Sequence, residues 1–185
     1  QALLEQAIAA APDAARPRVE MARLLQLMGQ PHAVLDTLQT LGGRTPAALP
    51  LAAPLMVEAG NATERQAEVH QRLLAHYAQA PSLDVLESIV AMETADEATQ
   101  STARQRYVQH LDKERSLVAA AKWLAGEKLE HDEFHPQIQR ALDHAVKPLT
   151  RYRCAACGFE ARQHFWQCPG CQTWDSYPAR RVEEL

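Results

Sequence analysis

All four cysteines of the 185-residue chain lie in one stretch near its end: Cys154-Ala155-Ala156-Cys157, ten residues, then Cys168-Pro169-Gly170-Cys171. Two Cys-x-x-Cys pairs at this separation constrain the fold more than any other feature of the sequence. Each pair turns two thiolates to one side of a tight knuckle. Two knuckles close an S4 cage around one ion, zinc or iron, with zinc–sulfur bonds of about 2.3 Å. Gly158 follows the first pair, where a knuckle often needs positive φ. Pro169 stiffens the second turn and donates no competing N–H. Pairing as disulfides would make the first pair a redox motif, and the βαβ setting of that motif is not apparent here. A cage with four protein ligands leaves no position for water or substrate. It therefore points to structure or one-electron transfer rather than hydrolysis.

Aromatic residues gather around the cage. Tyr152, Phe159, Phe165, Trp166, Trp174 and Tyr177 are six of the ten in the chain. A segment of about 35 residues buries too little apolar surface to fold alone, so metal and aromatics are expected to hold it together. Short strands are expected at Tyr152-Arg153, Glu160–Phe165 and Thr173–Tyr177, making residues 148–185 a rubredoxin-like or zinc-ribbon module. The expected metal ligands are Cys154, Cys157, Cys168 and Cys171. His164 lies in the spacer, but four cysteines already fill the site. Arg151, Arg153, Arg162, Arg180 and Arg181 make the module locally basic, as ordinary surface charge or as a contact for phosphate or an acidic partner.

Residues 1–147 read as helical repeats. Aromatics are 5% of the chain while Ala and Leu abound, which favours helix. A net charge of −4 offers no basic field for nucleic acid. Cysteines clustered in a metal motif fit a reducing compartment. No run of about 18 apolar residues is present. The chain starts without Met inside a helical pattern, as expected of a fragment whose N-terminal part, with any membrane anchor, lies elsewhere.

The proline spacing sets the repeat. Pro12, Pro46 and Pro81 are 34 and 35 residues apart, the period of the tetratricopeptide helix–turn–helix. Residues 1–10 form a helix with Leu3, Leu4, Ala7 and Ile8 on one face. Arg18–Met28 carries Met21, Leu24, Leu25 and Met28 inward. Residues 32–41 form the partner helix, broken by Gly42-Gly43. The next pair is Leu49–Ala59 and Glu64–Ala80, with its turn at Gly60-Asn61. Ala22, Val34 and Ala67 are small where helices approach closely. The last pairs are degenerate: Leu83–Met92, then a helix capped by Asp96, then Leu117–Leu124 capped by Ser116. A final helix starts at Pro136 with Ile138, Leu142 and Val146 inward. Lys147–Thr150 is too short for a free linker, so the metal module is expected to dock on the last helices. Loss of the metal is expected to unfold the module and leave helix content largely intact, because repeats contact only their neighbours.

Other candidates have plain readings. His131 and His135 are spaced i, i+4 but lack the HExxH pattern, and Pro136 follows directly, so a solvated turn is expected. His32, His70, His76, His110 and His144 fall at polar helix positions. Trp123 reads as a packing anchor, with a partner contact as the alternative. No Ser-His-Asp set, phosphate loop or carboxylate pair is discernible.

The order of features carries a resemblance: helix pairs, then Tyr152-Arg153-Cys154-x-x-Cys157-Gly158-Phe159, then Phe165-Trp166-x-Cys168-Pro169-x-Cys171-x-x-Trp174, then a short tail with Arg181 and Leu185. This resembles the C-terminal part of the lipopolysaccharide assembly protein B family of Gram-negative bacteria, closely in the metal module and by register in the helices. The resemblance implies a non-enzymatic adaptor at the cytoplasmic face of the inner membrane. It implies as partners the membrane AAA+ protease, the deacetylase committing precursor to lipid A, and an inner-membrane lipopolysaccharide sensor. It also implies one metal ion, iron or zinc, on the four cysteines. No partner-contact motif of the family can be placed on this sequence. The Cys168–Ser176 run is also similar to the zinc ribbon of a bacterial recombination ATPase, but no ATPase core accompanies it. Two other readings of the residues stay open: electron transfer through a rubredoxin-type iron, with Gln172 standing where rubredoxins carry Gly, and a nucleic-acid-binding ribbon.

Overall fold

Proline and glycine cut the first half of the chain into short helices. The computed structural model describes residues 1–95, 100–127 and 132–185, in two compact units, 1–92 and 93–185. In the first unit α1 (Ala2–Ala10) stops before Pro12, α2 spans Ala15–Leu27 and α3 spans Pro31–Leu38. Gly29, at φ 68°, ends α2 in the left-handed region, and Pro31 opens α3. A short α4 (Leu41–Arg44) and a 3-10 turn (Pro46–Ala48) lead to α5 (Leu49–Ala62) and α6 (Gln66–Gln79). The paired helices recur at the interval set by the prolines: α2 and α5 begin at Ala15 and Leu49, α3 and α6 at Pro31 and Gln66. Within the unit α2 packs on α1, α3 and α5, and α3 and α6 pack on α5. Val19, Ala22, Val34, Leu38, Ala52, Met56, Val69 and Leu73 are fully buried between them. Arg72 of α6 donates to the carbonyls of Leu38 and Gln39 at 2.9 and 3.1 Å, holding the open end of α3. Helix α7 (Leu83–Thr94) begins in the first unit with Leu83, Leu86 and Ile89 buried.

The structure corrects several local expectations here. Gly42-Gly43 does not break a helix. The break falls at Gln39-Thr40, and both glycines are wound into α4, closed by Arg44 and Thr45 N–H groups on the Thr40 and Leu41 carbonyls. Gly60-Asn61 is not the turn either. Gly60 is buried inside α5, and a Cβ there would stand 2.9 Å from Cγ2 of Val69 on α6. The turn is Thr63–Arg65, with Glu64 at φ 57°. Ala67 is exposed, so the small residue at the close approach is Gly60 instead. Leu3 and Met28 are 81% and 49% exposed, because α1 packs chiefly on α2 and Met28 is past the last turn of α2. His76 and His110 are buried, not at polar positions.

The second unit holds α8 (Gln100–Leu111), α9 (Leu117–Leu124), α10 (His135–Val146), β1 (Tyr152–Arg153) and β2 (Glu160–Ala161). Helix α9 packs on α8 and α10. Ser116 caps α9 as the sequence predicts, its hydroxyl accepting from Ala119 N–H at 2.9 Å. Arg104 of α8 reaches Trp123 O and the Glu127 carboxylate at 3.3 and 2.7 Å, lying where a side chain on Gly126 would stand. Trp123 is half-buried. Arg106 forks onto the buried Glu93 carboxylate at 2.8 and 3.1 Å. The apolar stripe of α10 is less buried than its pattern predicts: Ile138 is 44% exposed, and Leu142 and Val146 are half-buried. Asp96 and His131 lie outside the described residues, so the expected cap and the His131–His135 pair are not described. His135 places a ring nitrogen 3.2 Å from Leu124 O. Among the described residues no helix is long and apolar enough to cross a membrane.

Gly60→Ala gains about 1 kcal/mol of helix propensity but drives a methyl into a stiff, buried valine, an overpacking of about 1–3 kcal/mol. Urea unfolding should show a net loss of stability, recovered when Val69→Ala is added; a stabilised single variant would contradict the close packing of α5 on α6. For His110, burial is the main force holding its pKa below the ordinary value and Lys113 acts in the same direction, while Glu114 and Glu183 oppose them. The unfolded chain therefore takes up the proton first, and stability should fall as pH drops below about 6.5. His110→Gln should flatten that slope, measured by urea unfolding at a series of pH values.

Candidate metal centre

The site is built from two copies of one backbone pattern. In the first, Cys154 N–H donates to Phe159 O at 2.9 Å and Gly158 N–H returns to Cys154 O at 2.8 Å. In the second, Cys168 N–H donates to Thr173 O at 2.9 Å and Gln172 N–H returns to Cys168 O at 2.8 Å. The residue after each pair has positive φ, 77° at Gly158 and 62° at Gln172. Glycine meets that demand without steric cost, whereas Gln172 adopts it as an ordinary L-residue. Each knuckle is carried by a small antiparallel pairing: Tyr152 with Ala161 and Arg153 with Glu160 in the first, and a single bridge of Gln167 with Trp174 in the second.

The strands are shorter than expected. β2 stops at Ala161, not Phe165, because β1 has only two residues to offer: Leu149 and Thr150 still turn back onto Val146 O. The expected strand Thr173–Tyr177 reduces to the bridge at Trp174, since Asp175 at φ 52° leaves extended geometry.

The knuckles bring together all four predicted sulfurs. The Sγ atoms of Cys154, Cys157, Cys168 and Cys171 lie within 4.8 Å of one another. The Cys154–Cys171 and Cys157–Cys168 separations are 3.8 and 3.7 Å. A tetrahedron with zinc–sulfur bonds of about 2.3 Å has an edge of about 3.8 Å, so the sulfur set fits one metal ion. No two sulfurs are joined as a disulfide. The cage has an inner and an outer edge: Cys154 and Cys168 are buried, Cys157 and Cys171 exposed.

Hydroxyl groups surround the sulfurs. Ser176 Oγ is 3.2 Å from Cys154 Sγ and Thr173 Oγ1 is 3.3 Å from Cys171 Sγ. Ser176 is the main cause of a Cys154 thiol lowered to about 6; burial opposes it, and backbone N–H groups of Cys157 and Ala156 assist. Cys171 is lowered chiefly by Thr173. Cys157 is pushed up to about 12: the Phe159 N–H pulls it down, but burial and the other three cysteines prevail. Four thiols this close cannot all ionise without a cation among them. A bound dication would supply the missing charge and lock the two knuckles together.

Of the six aromatics, only Tyr152 and Tyr177 are buried; Phe165 and Trp166 are half-buried, and Phe159 and Trp174 are 45% and 56% exposed. The ring that meets three of them is His164. Its centroid is 5.7 Å from Tyr152, 4.7 Å from Trp166 and 6.0 Å from Tyr177, and its Nε2 lies 3.0 Å from Tyr177 O. It belongs to the aromatic cluster rather than the ligand set. Tyr177 Oη donates to Phe159 O at 3.0 Å, and its pKa is raised by burial first and by Cys168 next. The arginines are largely engaged within the module. Arg153 and Arg151 reach Glu160 at 2.7 and 3.6 Å, and Arg181 lies 4.3 Å over the Tyr152 ring. Sequence reasoning missed Ser176 and Thr173 as partners of the site and, while leaving His164 outside the ligand set, did not foresee its place among the aromatics; a hydroxyl two residues beyond Cys171 was the signal available for Thr173.

A lowered thiol stabilises the folded metal-free ribbon above the ordinary thiol range, and that contribution is lost as pH falls through about 6. Ser176→Ala should move the Cys154 transition upward in a thiolate-absorbance titration of the metal-free protein. An unchanged titration would remove the role given to Ser176.

Residues 152–177 match a family model described as the rubredoxin metal binding domain. Among curated proteins, the chain is 20% identical over 183 residues to lipopolysaccharide assembly protein B of Haemophilus influenzae, covering 95% of this chain and 46% of that protein. It is 42% identical over 41 residues to the protein of the same name in Escherichia coli K12, covering 22% of this chain and 10% of that protein. The chain thus spans about half the length, or less, of the curated relatives it matches. Along nearly its whole length the chain is similar to lipopolysaccharide assembly protein B, and it ends in a four-cysteine module of the rubredoxin metal-binding kind.

Proposed function

We propose that this chain serves lipopolysaccharide assembly as a non-enzymatic adaptor. The observation that carries the reading is the closed four-sulfur cage in a mostly helical chain similar to lipopolysaccharide assembly protein B. Cys154, Cys157, Cys168 and Cys171 would hold one zinc or iron ion, and the ion supplies cross-linking and charge neutralisation. With all four positions taken by protein, nothing is left to activate a water or bind a substrate. The helix pairs suit a binding role. A cavity of about 510 Å³ in the first unit, lined by Glu5, Ile8, Arg18, Met21, Leu25 and Thr37 among others, gives a partner segment a place to rest.

In finer terms, the adaptor acts at the cytoplasmic face of the inner membrane, anchored through a part of the protein outside this sequence. It presents the deacetylase that commits precursor to lipid A to the membrane AAA+ protease, under control of an inner-membrane lipopolysaccharide sensor. Electron transfer is the second reading, favoured by the exposure of Cys157 and Cys171. Reversible reduction and reoxidation of a bound iron would support it. Nucleic-acid binding has less support, since Arg151, Arg153 and Arg181 contact their own module.

A pull-down from cell lysate with the anchored full-length protein, beside its Cys154→Ser/Cys168→Ser version, tests the adaptor. The intact protein should recover both protease and deacetylase, and the double variant should lose at least one. Recovery of neither by the intact protein would overturn the proposal.

A further inference from the structure

The last five residues join the metal ribbon to the helices of the same unit. A 3-10 turn at Val182–Glu184 brings the Glu183 carboxylate onto the start of α9. It accepts from Leu117 N–H at 2.5 Å, from Val118 N–H at 3.1 Å and from the Ser116 hydroxyl at 2.7 Å. Ser116 Oγ takes Ala119 N–H, and Ala120 N–H makes the first helical turn onto Ser116 O. A helix leaves its first four N–H groups without helical partners; here the first two are satisfied by a carboxylate 65 and 66 residues further along the chain. A negative charge at that end also complements the helix dipole.

What positions Glu183 is the ribbon. Val182 N–H donates to Arg151 O at 2.7 Å and Glu183 N–H to Leu149 O at 3.2 Å. The Arg181 guanidinium donates to Thr150 O at 2.6 Å and lies over Tyr152. Tyr152 in turn is buried against His164 and pairs through β1 with β2, two residues before Cys154. Three of these contacts fall on residues 149–151, in the turn between α10 and β1, and the fourth on Tyr152, which opens the strand leading into the cage.

We propose that the 181–185 clasp couples metal occupancy to the first turn of α9, so that loss of the ion withdraws Glu183 and uncaps the helix. The inference rests on the four cysteines holding an ion, and it does not depend on the adaptor reading. A segment as small as the ribbon is held by its metal. When it opens, Tyr152 leaves its seat, Arg181 loses the ring it lies over, the clasp loosens from the turn at 149–151, and Leu117 and Val118 are left without the carboxylate. Coupling of this kind is reciprocal: what the ion does to the cap, the cap does to ion affinity.

Hydrogen exchange on the full chain tests this, comparing zinc-loaded and zinc-stripped protein with zinc content measured in parallel. Stripping should open the ribbon amides and also speed exchange at Leu117 and Val118 by about fivefold, the factor that accompanies a lost cap. Loaded Glu183→Gln should speed the same two amides with the ribbon still protected, and should bind zinc a few-fold more weakly. Arg181→Ala, which loosens the clasp from the ribbon side, should do the same. If stripping opens the ribbon but leaves Leu117 and Val118 unchanged, the coupling does not exist. If both variants leave these amides and zinc affinity as in the parent, the clasp has no role. A chain that takes up neither zinc nor iron would overturn both this inference and the metal centre.

Discussion

The metal ribbon depends on four sulfur atoms held within 4.8 Å of one another. That proximity is unfavourable without a cation. The thiols are split: the Ser176 hydroxyl is the main cause of a Cys154 lowered to about 6, while burial and the other three cysteines push Cys157 up to about 12. An ion removes the conflict and ties residue 154 to residue 171. Besides the ion, the knuckles are joined by Ala155 N–H on Ser176 O at 2.8 Å and Tyr177 Oη on Phe159 O at 3.0 Å, while the sheet is two residues long on each strand and the second hairpin is a single bridge. The buried apolar surface amounts to two tyrosines and the inner edge of the cage. Such a module is a metal site with a short chain wrapped round it, in line with the general weakness of small hydrophobic cores.

The cage was legible because cysteine spacing is a local property and the knuckle is a local structure. Cys-x-x-Cys fixes which side the sulfurs face before any tertiary contact forms, and Gly158 marks the left-handed residue that closes it. The second knuckle hides the same mark, since Gln172 holds the conformation with a side chain that does not advertise it. The strands were overextended because β-propensity reports what a residue tolerates, while strand length is set by the partner. β1 is cut short by the turn that ends α10, and β2 can be no longer than its partner. Glu183 was beyond reach for a different reason: nothing in Val182–Glu184 says that its carboxylate will cap a helix 65 residues earlier. A Ser at position 116 predicts a cap, and it does not predict that a second cap arrives from elsewhere.

In the helical unit the period was legible and the role of its glycines was not. Pro31 and Pro136 lie in the first turns of α3 and α10, where proline is favoured whatever packs around it, while the starts of α2 and α6 fall three residues before and two after the expected ones. Gly42 and Gly60 look like stops in the sequence but are wound into helices. At Gly60 the reason is distance: α6 comes close enough that even a methyl would meet Val69. Glycine as breaker and glycine as contact are the same letter, and only the neighbouring helix tells them apart. His76 and His110 mislead in the same way, polar in composition but buried by tertiary packing that the single sequence does not display.

The two edges of the cage differ in what they allow. Cys154 and Cys168 face inward beside Tyr177, whose hydroxyl is held by Phe159 O. Cys157 and Cys171 face solvent, flanked by the exposed rings of Phe159 and Trp174. An ion held this way is rigid toward the protein and open toward the outside. Openness alone would serve an electron carrier, which needs a short path from the metal to a partner. The inner edge bears on the other reading. It leads through β1 and Tyr152 to Arg181, and from Glu183 to the start of α9, so the stiffness the ion gives the ribbon is passed on to a helix. An electron carrier has no use for that connection, whereas a binding protein whose helices must hold one shape does. The direction in which the site is braced, more than the identity of its ligands, is what the proposed adaptor reading draws on when set against the redox one.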